Sequence, residues 1–562
     1  YSIVQVVQVK YKQQRSFFGV MLLIISYFSL SFALTLWFSR FLLRYMDSTF
    51  FMDHPNERKV HDTPTPRMGG IAFAPVIIIL GWFLFNTSDT YTWYFMGAMG
   101  IFILGAIDDY YTMSWRFKLP IQLFIGLLII IQFFPYVDTV LFFGKDLPFS
   151  KWILMGIFLF WFIGITNSIN LIDGLDGLAG GFMLLISFAA TILGFVSGNP
   201  VFTNINVLFI ASLLAFLHFN QKPAKFFMGD SGSLFLGFHL AVLPLLFSTK
   251  ISGITSTIDM TPFILLATYL IIDTIRVVII RVRGGKHPLE PDQLHLHYQV
   301  YNHGNSHNGT LMSIFILCGI GCILSILPSI IFIKSAYMMG IYLFILGACT
   351  LIPSISQNFI RLILNLNSRF RKQKIRSNSF ITFFSVKLLK YLILIYFISL
   401  IFLYNKQLVY LSSFPFILIS GTILALFILQ ETFSGHRSNT ALLISFGIFH
   451  IYIMSLGVNV LPPITVQSGY ISLFSWLRYG SLLITSIVVI TNYLLNSVVY
   501  GESFWSVTDL VVIFLLVGMI GVQPLGLGFP PTFSFEIGLV YFANKLWLPQ
   551  FSEALAKARI PT

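Results

Sequence analysis

The sequence predicts an all-α, polytopic membrane bundle, and three observations carry that prediction. Of 562 residues, 56% are hydrophobic and only 10% are charged, against roughly 25% charged in an ordinary soluble domain. Apolar runs of roughly 20 residues, long enough to cross a hydrocarbon core as helices, recur from one end of the chain to the other. The runs are continuous, whereas a β-barrel would alternate in segments of roughly ten residues. A net charge of +13 would suggest nucleic acid in a soluble protein. Here it reads as topology, and no nucleic-acid partner is expected.

Taken in order, spans are expected near 17–38, 69–85, 93–107, 119–135, 152–169, 179–197, 203–219, 232–248, 260–280, 309–333 and 337–355. The first is too long for the apolar region of a cleaved signal peptide and is read as a span. These make about eleven transmembrane helices, and about five more are expected within 391–562. With the N-terminus outside, loops 39–68, 108–118, 170–178, 220–231, 281–308 and 356–390 fall inside. Those loops and adjoining helix ends carry twenty-one Lys and Arg, against four (Lys145, Lys151, Lys250, Lys334) on the opposite side, as the positive-inside rule requires. Lys10, Lys12 and Arg15 run against this orientation. The basic stretch 356–390 suits a cytoplasmic linker lying near anionic headgroups. It divides a region 1–355 from an additional transmembrane region 391–562, whose role the sequence does not disclose. Cys318, Cys322 and Cys349 lie within apolar spans and read as packing.

Against this apolar background, acidic residues gather at the ends of spans, and carboxylates near membrane depth mark functional sites by default. Asp108 and Asp109 close the third span, where two adjacent carboxylates require a cation or a shared proton. Asn167, Asn170, Asp173 and Asp176 follow at steps of three, which on a helix drift slowly round one side so that their tips can converge. Gly174 and Gly177 permit a break and a close backbone approach there. Asp230 lies in Phe-Met-Gly-Asp-Ser-Gly-Ser before the eighth span. It is either a helix cap or part of a phosphate site built on the N–H groups of a helix start. His295 and His297 face the same way if extended and diverge if helical. Carboxylate companions favour a harder ion than zinc. The loop from Asp53 through Lys59 and His61 to Arg67-Met68-Gly69-Gly70 places basic groups beside a Pro-rich strand, able to hold an anionic lipid head. With alternate span ends on one side, these clusters share one face, as a cation-dependent phosphate site at the water–lipid boundary would.

These pieces, in this order, resemble the bacterial polyprenyl-phosphate N-acetylhexosamine-1-phosphate transferases (glycosyltransferase family 4), membrane enzymes that start cell-wall, teichoic-acid, lipopolysaccharide and O-antigen glycans. The resemblance runs from about His54 to about Tyr298. It rests on Arg-Lys-Val-His-Asp-Thr-Pro-Thr-Pro-Arg-Met-Gly-Gly, the Asp pair, Asn-x-x-Asn-x-x-Asp-Gly-x-Asp-Gly-Leu-Ala, Met-Gly-Asp-Ser-Gly-Ser and His-x-His. It implies transfer of a sugar-1-phosphate from a UDP-sugar to undecaprenyl phosphate, with release of UMP and with Mg²⁺, or Mn²⁺ in its place. It also implies a metal on Asp230, with Asp173 beside it, and Asp173, Asp176 and Asn170 holding the nucleotide-sugar or the metal's waters. Asp108 and Asp109 are implied to position or activate the lipid phosphate, and His295 and His297 to contact the donor's phosphates. Asn167, Lys118, Arg116, Lys59, His61, Arg67, Arg281 and Arg283 complete the implied substrate-binding set. By the same resemblance the enzyme sits in the bacterial cytoplasmic membrane with its site on the cytoplasmic face, and a homodimer is compatible by analogy.

The stretch Met113–Lys118 and the His-x-His resemble the branch that transfers GlcNAc-1-phosphate. The muramoyl-pentapeptide branch would place Lys where Thr112 stands, and three consecutive histidines where this chain reads His-Leu-His-Tyr. A further His and an Arg are usual even in the GlcNAc branch, where Tyr298 and Gln293 stand. The competing readings are the pentapeptide transferase and, from other classes, an ion-coupled transporter or a non-catalytic scaffold. No internal repeat is visible, and the carboxylates sit at loop junctions and not in broken mid-membrane helices, against the transporter.

Overall fold

The computed structural model describes residues 24, 26–45, 51–53, 64–85, 89–250, 253–254, 257–287, 292–302, 307–331, 337 and 340–341. Nearly all of them belong to one compact unit, Leu34–Asn365 with Trp505–Leu515; the other unit contributes only residue 24 and residues 26–33 to the described set. The expected linker 356–390, the region 391–562 and the span 337–355 apart from three residues lie outside the described residues. So does the loop carrying Lys59 and His61.

The apolar runs form helices close to where the sequence places them. They are α1 (26–45), α2 (Gly69–Phe85), α3 (Asp89–Tyr111), α4 (Trp115–Phe133), α5 (Lys151–Ile172), α6 (Leu178–Val196), α7 (Pro200–Asn220) and α8 (Gly229–Ser248). Then come α9 (Thr261–Leu266), α10 (Thr268–Arg283), α11 (Leu296–Asn302) and α12 (His307–Ile331). Seven of the described helices are long and apolar enough to cross a membrane, and α2 is slightly shorter. This is an all-α, multi-pass membrane bundle.

The span expected at 260–280 is broken. The hydroxyl of Thr268 donates to the carbonyls of Leu265 (2.7 Å) and Ile264 (3.1 Å). These bonds lie where α9 ends and α10 begins, at Ala267. Short strands that apolar runs do not announce lie between helices. β1 (Met52–Asp53) pairs antiparallel with β2 (Thr65–Pro66), and Thr249–Lys250 pairs with Gly253–Ile254. Thr139–Phe142 pairs antiparallel with Lys145–Asp146 and parallel with Thr257–Asp259, at the end of the bundle away from the acidic clusters.

Helix α8 is the axis of the unit, buried along nearly its whole length and packed on α2, α3 and α5. Small residues let these backbones approach, as in other membrane bundles. A side chain on Gly70 of α2 would meet the backbone of Ser231–Gly232, and one on Gly105 of α3 the backbone of Asp230–Ser231. Gly237 of α8 lies in the same way against Thr166 of α5. The N–H groups of Gly69 and Gly70 donate to the carbonyls of Phe227 and Met228 at 2.8 and 2.7 Å, and Phe227 N–H donates to Pro66. The start of α2 and the segment entering α8 are thereby zipped together. The Gly-Gly pair of the early loop serves this close contact. The outer helices keep apolar side chains such as Phe124 and Phe160 exposed on the surface that lipid covers.

Candidate active site

Four chain segments converge where α3, α5 and α7 end and α8 begins. The two carboxylates closing α3 part company. Asp108 accepts from the Met113 N–H at 2.5 Å and from Lys118 Nζ at 2.5 Å, so it organises the α3–α4 turn. Asp109 points to α8 and accepts the N–H groups of Asp230 (2.7 Å) and Ser231 (2.9 Å). It is an N-cap supplied by another helix, satisfying donors that the helix start leaves over. This overturns two expectations for the Gly-Ser segment. Asp230 does not cap its own helix, and these two N–H groups are not free for a phosphate because Asp109 already holds them.

Asp230 instead turns its carboxylate to its neighbours. One oxygen accepts from Asn170 Nδ2 at 2.7 Å, and the other pairs with Lys118. Asn170 also donates to Ser233 at 2.9 Å, tying the end of α5 to the first turn of α8. Lys118 therefore bridges Asp108 and Asp230, which balances two carboxylates with one ammonium.

Beyond Ile172 the Asp-Gly-Leu-Asp-Gly turn leaves α5 and starts α6, with Gly177 in the left-handed region at φ +77°. Asn220 fixes this turn by accepting from the Gly177 N–H at 2.9 Å and donating to the Phe226 carbonyl at 3.0 Å. Asp176 accepts from the Ala224 N–H at 3.1 Å, and its own carbonyl faces His307 Nε2 at 2.9 Å. Asp173 makes no side-chain hydrogen bond to any described residue. Burial, then the charges of Asp230, Asp109 and Asp176, push its carboxyl up to about 8 against the opposing pull of Arg67.

Asn170, Asp173, Asp176, Asn220 and Asp230 line one cavity of about 560 Å³ together with Asp53, Arg67, Lys222, Phe227, Tyr298, Tyr301 and His307, a size suited to a small-molecule ligand. Asp108, Asp109 and Lys118 stand behind its wall. Arg67 is ion-paired with Asp53, and Lys222 lies 5.7 Å over the Tyr301 ring. No group of three or more His, Cys, Asp or Glu side chains poised to cage a metal occurs among the described residues. A magnesium ion needs no such cage, because it keeps several waters and takes one or two carboxylates plus substrate phosphates. The unpartnered, crowded Asp173 beside Asp230 fits that donor set, since a cation is what would keep both ionised.

Of the residues singled out from sequence, Asp108, Asp109, Lys118, Asn170, Asp173, Asp176, Asp230 and Arg67 come together here. Others do not. Asn167 faces α4, donating to Gln122 at 2.7 Å and to the Ile163 carbonyl at 2.8 Å. A step of three residues falls short of a full helical turn, so the first member of the series points elsewhere. Arg281 is buried and forms a two-pronged ion pair with Asp292, both contacts at 2.9 Å, so its guanidinium holds the loop before α11 and not the cavity. Arg116 is exposed beside Trp115, and Arg283 is exposed at the end of α10.

His295 and His297 adjoin the cavity without lining it. His295 precedes α11 and His297 is its second residue, and the backbone bend lets the rings stack at 5.9 Å and 19°. His297 Nε2 lies 2.9 Å from where a side chain on Gly174 would begin, so the pair backs onto the turn that presents Asp173. His295 Nδ1 is 2.9 Å from Asp273, a buried carboxylate of α10. Sequence reasoning missed Asp273, and also Lys222, Tyr301 and His307. The signal for Asp273 was present, a lone carboxylate within an apolar run; the other three carry no such mark.

Burial pushes His297 down to about 3, with Asp273 opposing and His295 and Arg276 adding. An unfolded imidazole near 6.5 binds a proton that the folded ring refuses, so the stability this ring contributes falls as pH drops below 6.5. Between pH 6.5 and 5 the loss is about 2 kcal/mol. Asp173, with its carboxyl pushed up to about 8, holds a proton in the folded state over the same interval and works the other way. The test is therefore a difference: in thermal melts of detergent-solubilised protein, the wild-type Tm is expected to fall relative to that of His297→Phe between pH 6.5 and 5. His307, lowered by burial and by Lys222, acts in the same direction as His297 and is present in both proteins. A Tm difference between the two proteins that stays level from pH 6.5 to 5 would contradict the neutral buried ring.

Known proteins are similar to this chain in sequence. The family model described as Glycosyl transferase family 4 matches residues 91–248, from α3 to α8. A probable undecaprenyl-phosphate N-acetylglucosaminyl 1-phosphate transferase of Bacillus subtilis is 36% identical over 293 residues, covering 51% of this chain and 78% of the relative. A decaprenyl-phosphate N-acetylglucosaminephosphotransferase of Mycobacterium leprae is 31% identical over 306 residues, 48% of this chain and 74% of the relative. A phospho-N-acetylmuramoyl-pentapeptide-transferase of Listeria monocytogenes is 29% identical over 263 residues, 43% of this chain and 78% of the relative. With that extent of likeness to the Bacillus protein, and with the family model matching α3 to α8, the chain belongs to glycosyl transferase family 4.

Proposed function

We propose that the protein transfers GlcNAc-1-phosphate from UDP-GlcNAc to undecaprenyl phosphate and releases UMP, the first step of a cell-envelope glycan. One observation carries the reading: a single cavity at the helix ends gathers Asp173, Asp176 and Asp230 with Arg67 and Lys222. In the reaction an oxygen of the lipid phosphate attacks the β-phosphorus of the donor. A P–O bond forms there as the bond to the bridging oxygen breaks, and UMP leaves with that oxygen. Every reactant is an anion, so charge neutralisation and in-line placement govern the barrier.

The residues divide that work. Asp173 and Asp230 are the carboxylates that would hold Mg²⁺, with Mn²⁺ as its substitute; the ion supplies positive charge against the phosphates. Asn170 and Lys118 fix the Asp230 carboxylate from both of its oxygens. Lys222 and Arg67 bring positive charge to the cavity for the donor's diphosphate. The lipid phosphate needs no obligate base, because a phosphomonoester with a second pKa of about 6 is mostly a dianion at neutral pH. Asp108 then acts by holding Lys118 in place. The distribution of Lys and Arg along the sequence supports a cavity opening to the cytoplasm, in the cytoplasmic membrane.

The test is UMP release from UDP-GlcNAc by the purified full chain with undecaprenyl phosphate, with and without Mg²⁺. Release that requires lipid and metal together is the expected result. Release from a UDP-MurNAc-pentapeptide donor alone would move the protein to the pentapeptide branch. No release from any UDP-sugar, by protein with an intact melting transition, would overturn the transferase reading.

A further inference from the structure

Asp273 is one of the most deeply buried charged groups among the described residues, at 2% exposure, and none of the roles above uses it. We propose that Asp273 is a positioning residue that orients His295 and dictates which of its ring nitrogens carries hydrogen, so that phosphotransfer depends on Asp273 through His295. The inference rests on the transferase reading above.

The carboxylate interrupts the apolar sequence Tyr-Leu-Ile-Ile-Asp of α10, where a buried charge persists only with partners. Both of its oxygens serve the segment that carries His295. Oδ2 lies 2.9 Å from His295 Nδ1, and Oδ1 accepts the N–H of Leu296, the next residue, at 2.9 Å. Arg276, one turn along α10, pairs with Oδ1 at 3.1 Å and donates to the Leu294 carbonyl at 2.6 Å. Ring and backbone on both sides of His295 are thus clamped to one face of α10.

An ionised carboxylate only accepts hydrogen bonds, so His295 Nδ1 must carry the hydrogen. Nε2 is then an acceptor in the neutral ring and a donor in the imidazolium, and the tautomer cannot invert while Asp273 stays ionised. That Nε2 is buried and has no hydrogen-bond partner among the described residues. A histidine kept only for structure would use both nitrogens, because leaving a buried one unpaired costs free energy. Here one nitrogen is held by Oδ2 of a carboxylate whose other oxygen holds the adjoining backbone, and the second nitrogen has no partner among the described residues. The ring stacks on His297, which touches the turn presenting Asp173. An imidazole oriented by a buried carboxylate, with its far nitrogen uncommitted, is arranged to act on a group that arrives with substrate.

The test measures UMP release and Tm for the full chain and for Asp273→Asn, Asp273→Glu, His295→Gln and the Asp273→Asn/His295→Gln double variant. An asparagine keeps the size of the side chain and can still accept from Leu296, but its amide can face Nδ1 as a donor and invert the tautomer. Asp273→Asn is expected to lower kcat about 30-fold, with Tm within a few degrees of wild type. Asp273→Glu should recover part of the loss, and the double variant should be no slower than His295→Gln. A full second loss in the His295→Gln background would show that Asp273 does not act through His295. A loss of activity that only tracks a large fall in Tm would reduce Asp273 to a structural tie, and wild-type kcat in Asp273→Asn would overturn the proposal outright. Wild-type protein inert towards every donor would strike the transferase reading instead, so the two failures are separable.

Discussion

Asp230→Ala is expected to lower the rate of UMP release by at least about 1,000-fold, roughly 4 kcal/mol of transition-state stabilisation. Its carboxylate stands at the crossing of the site. It holds Asn170 on one oxygen and Lys118 on the other, and the carboxylate of its companion Asp173 has no hydrogen bond among the described residues. Removing it would leave Lys118 on Asp108 alone and take away half of the donor set suited to a divalent ion. The helix start should survive, because the contacts from Asp230 to Asp109 and from Gly69 and Gly70 to the segment entering α8 are made by the backbone. Tm is therefore expected to change little, and the loss should appear in kcat. Asp230→Asn, which keeps the shape but not the charge, should fall about 100-fold. An Asp230→Ala protein retaining a tenth of wild-type turnover would remove Asp230 from the chemistry.

How far the sequence disclosed this site depends on what kind of signal each residue leaves. The helices were legible because burial in lipid demands unbroken apolar runs, and α2 through α8 fall where those runs lie. The break at Ala267 was not, since no Gly or Pro falls within 263–280 to mark it. The strands at 139–142 and 257–259 were equally silent. They pair across more than a hundred residues, and neither is long enough to show a period of two. Within the site, residue type was legible but partner was not. Asp108 and Asp109 read as equivalent neighbours, yet successive positions on a helix point about 100° apart. One accordingly serves Lys118 and the α3–α4 turn, and the other serves α8. Asn167 fails for the related reason that three residues are less than one helical turn. Lys222, Tyr301 and His307 reach the cavity only through the fold. Asp273, by contrast, satisfied the same test of a carboxylate in an apolar run that brought out the other clusters.

The division of labour between Asp108 and Asp109 leads to a second large effect. Asp109→Asn is expected to destabilise the protein by about 2 kcal/mol, since a cap and the burial of an unmatched N–H each cost about 1–2 kcal/mol. The wild-type carboxylate offers an oxygen to each of two adjacent N–H groups, at 2.7 and 2.9 Å. An asparagine can offer only one oxygen, and its amide N–H₂ would confront the other donor. The negative charge that favours a helix N-terminus disappears as well. The site is crowded enough that the start of α8 cannot simply settle elsewhere: Gly229 sits so close that a side chain there would come within 2.6 Å of Asp109 Oδ2, and Gly105 presses on the Asp230 backbone. Displacing this turn moves Asp230, so activity and Tm should fall together in Asp109→Asn. A proton-abstracting role predicts a different pattern, in which kcat collapses while Tm stays at the wild-type value. Measuring both quantities on the same preparations therefore decides between them. A normal Tm with lost turnover would return Asp109 to the lipid phosphate. A lowered Tm, with residual activity recovered by cooling or by added lipid, would establish Asp109 as the residue that holds α8, and Asp230 with it, in position.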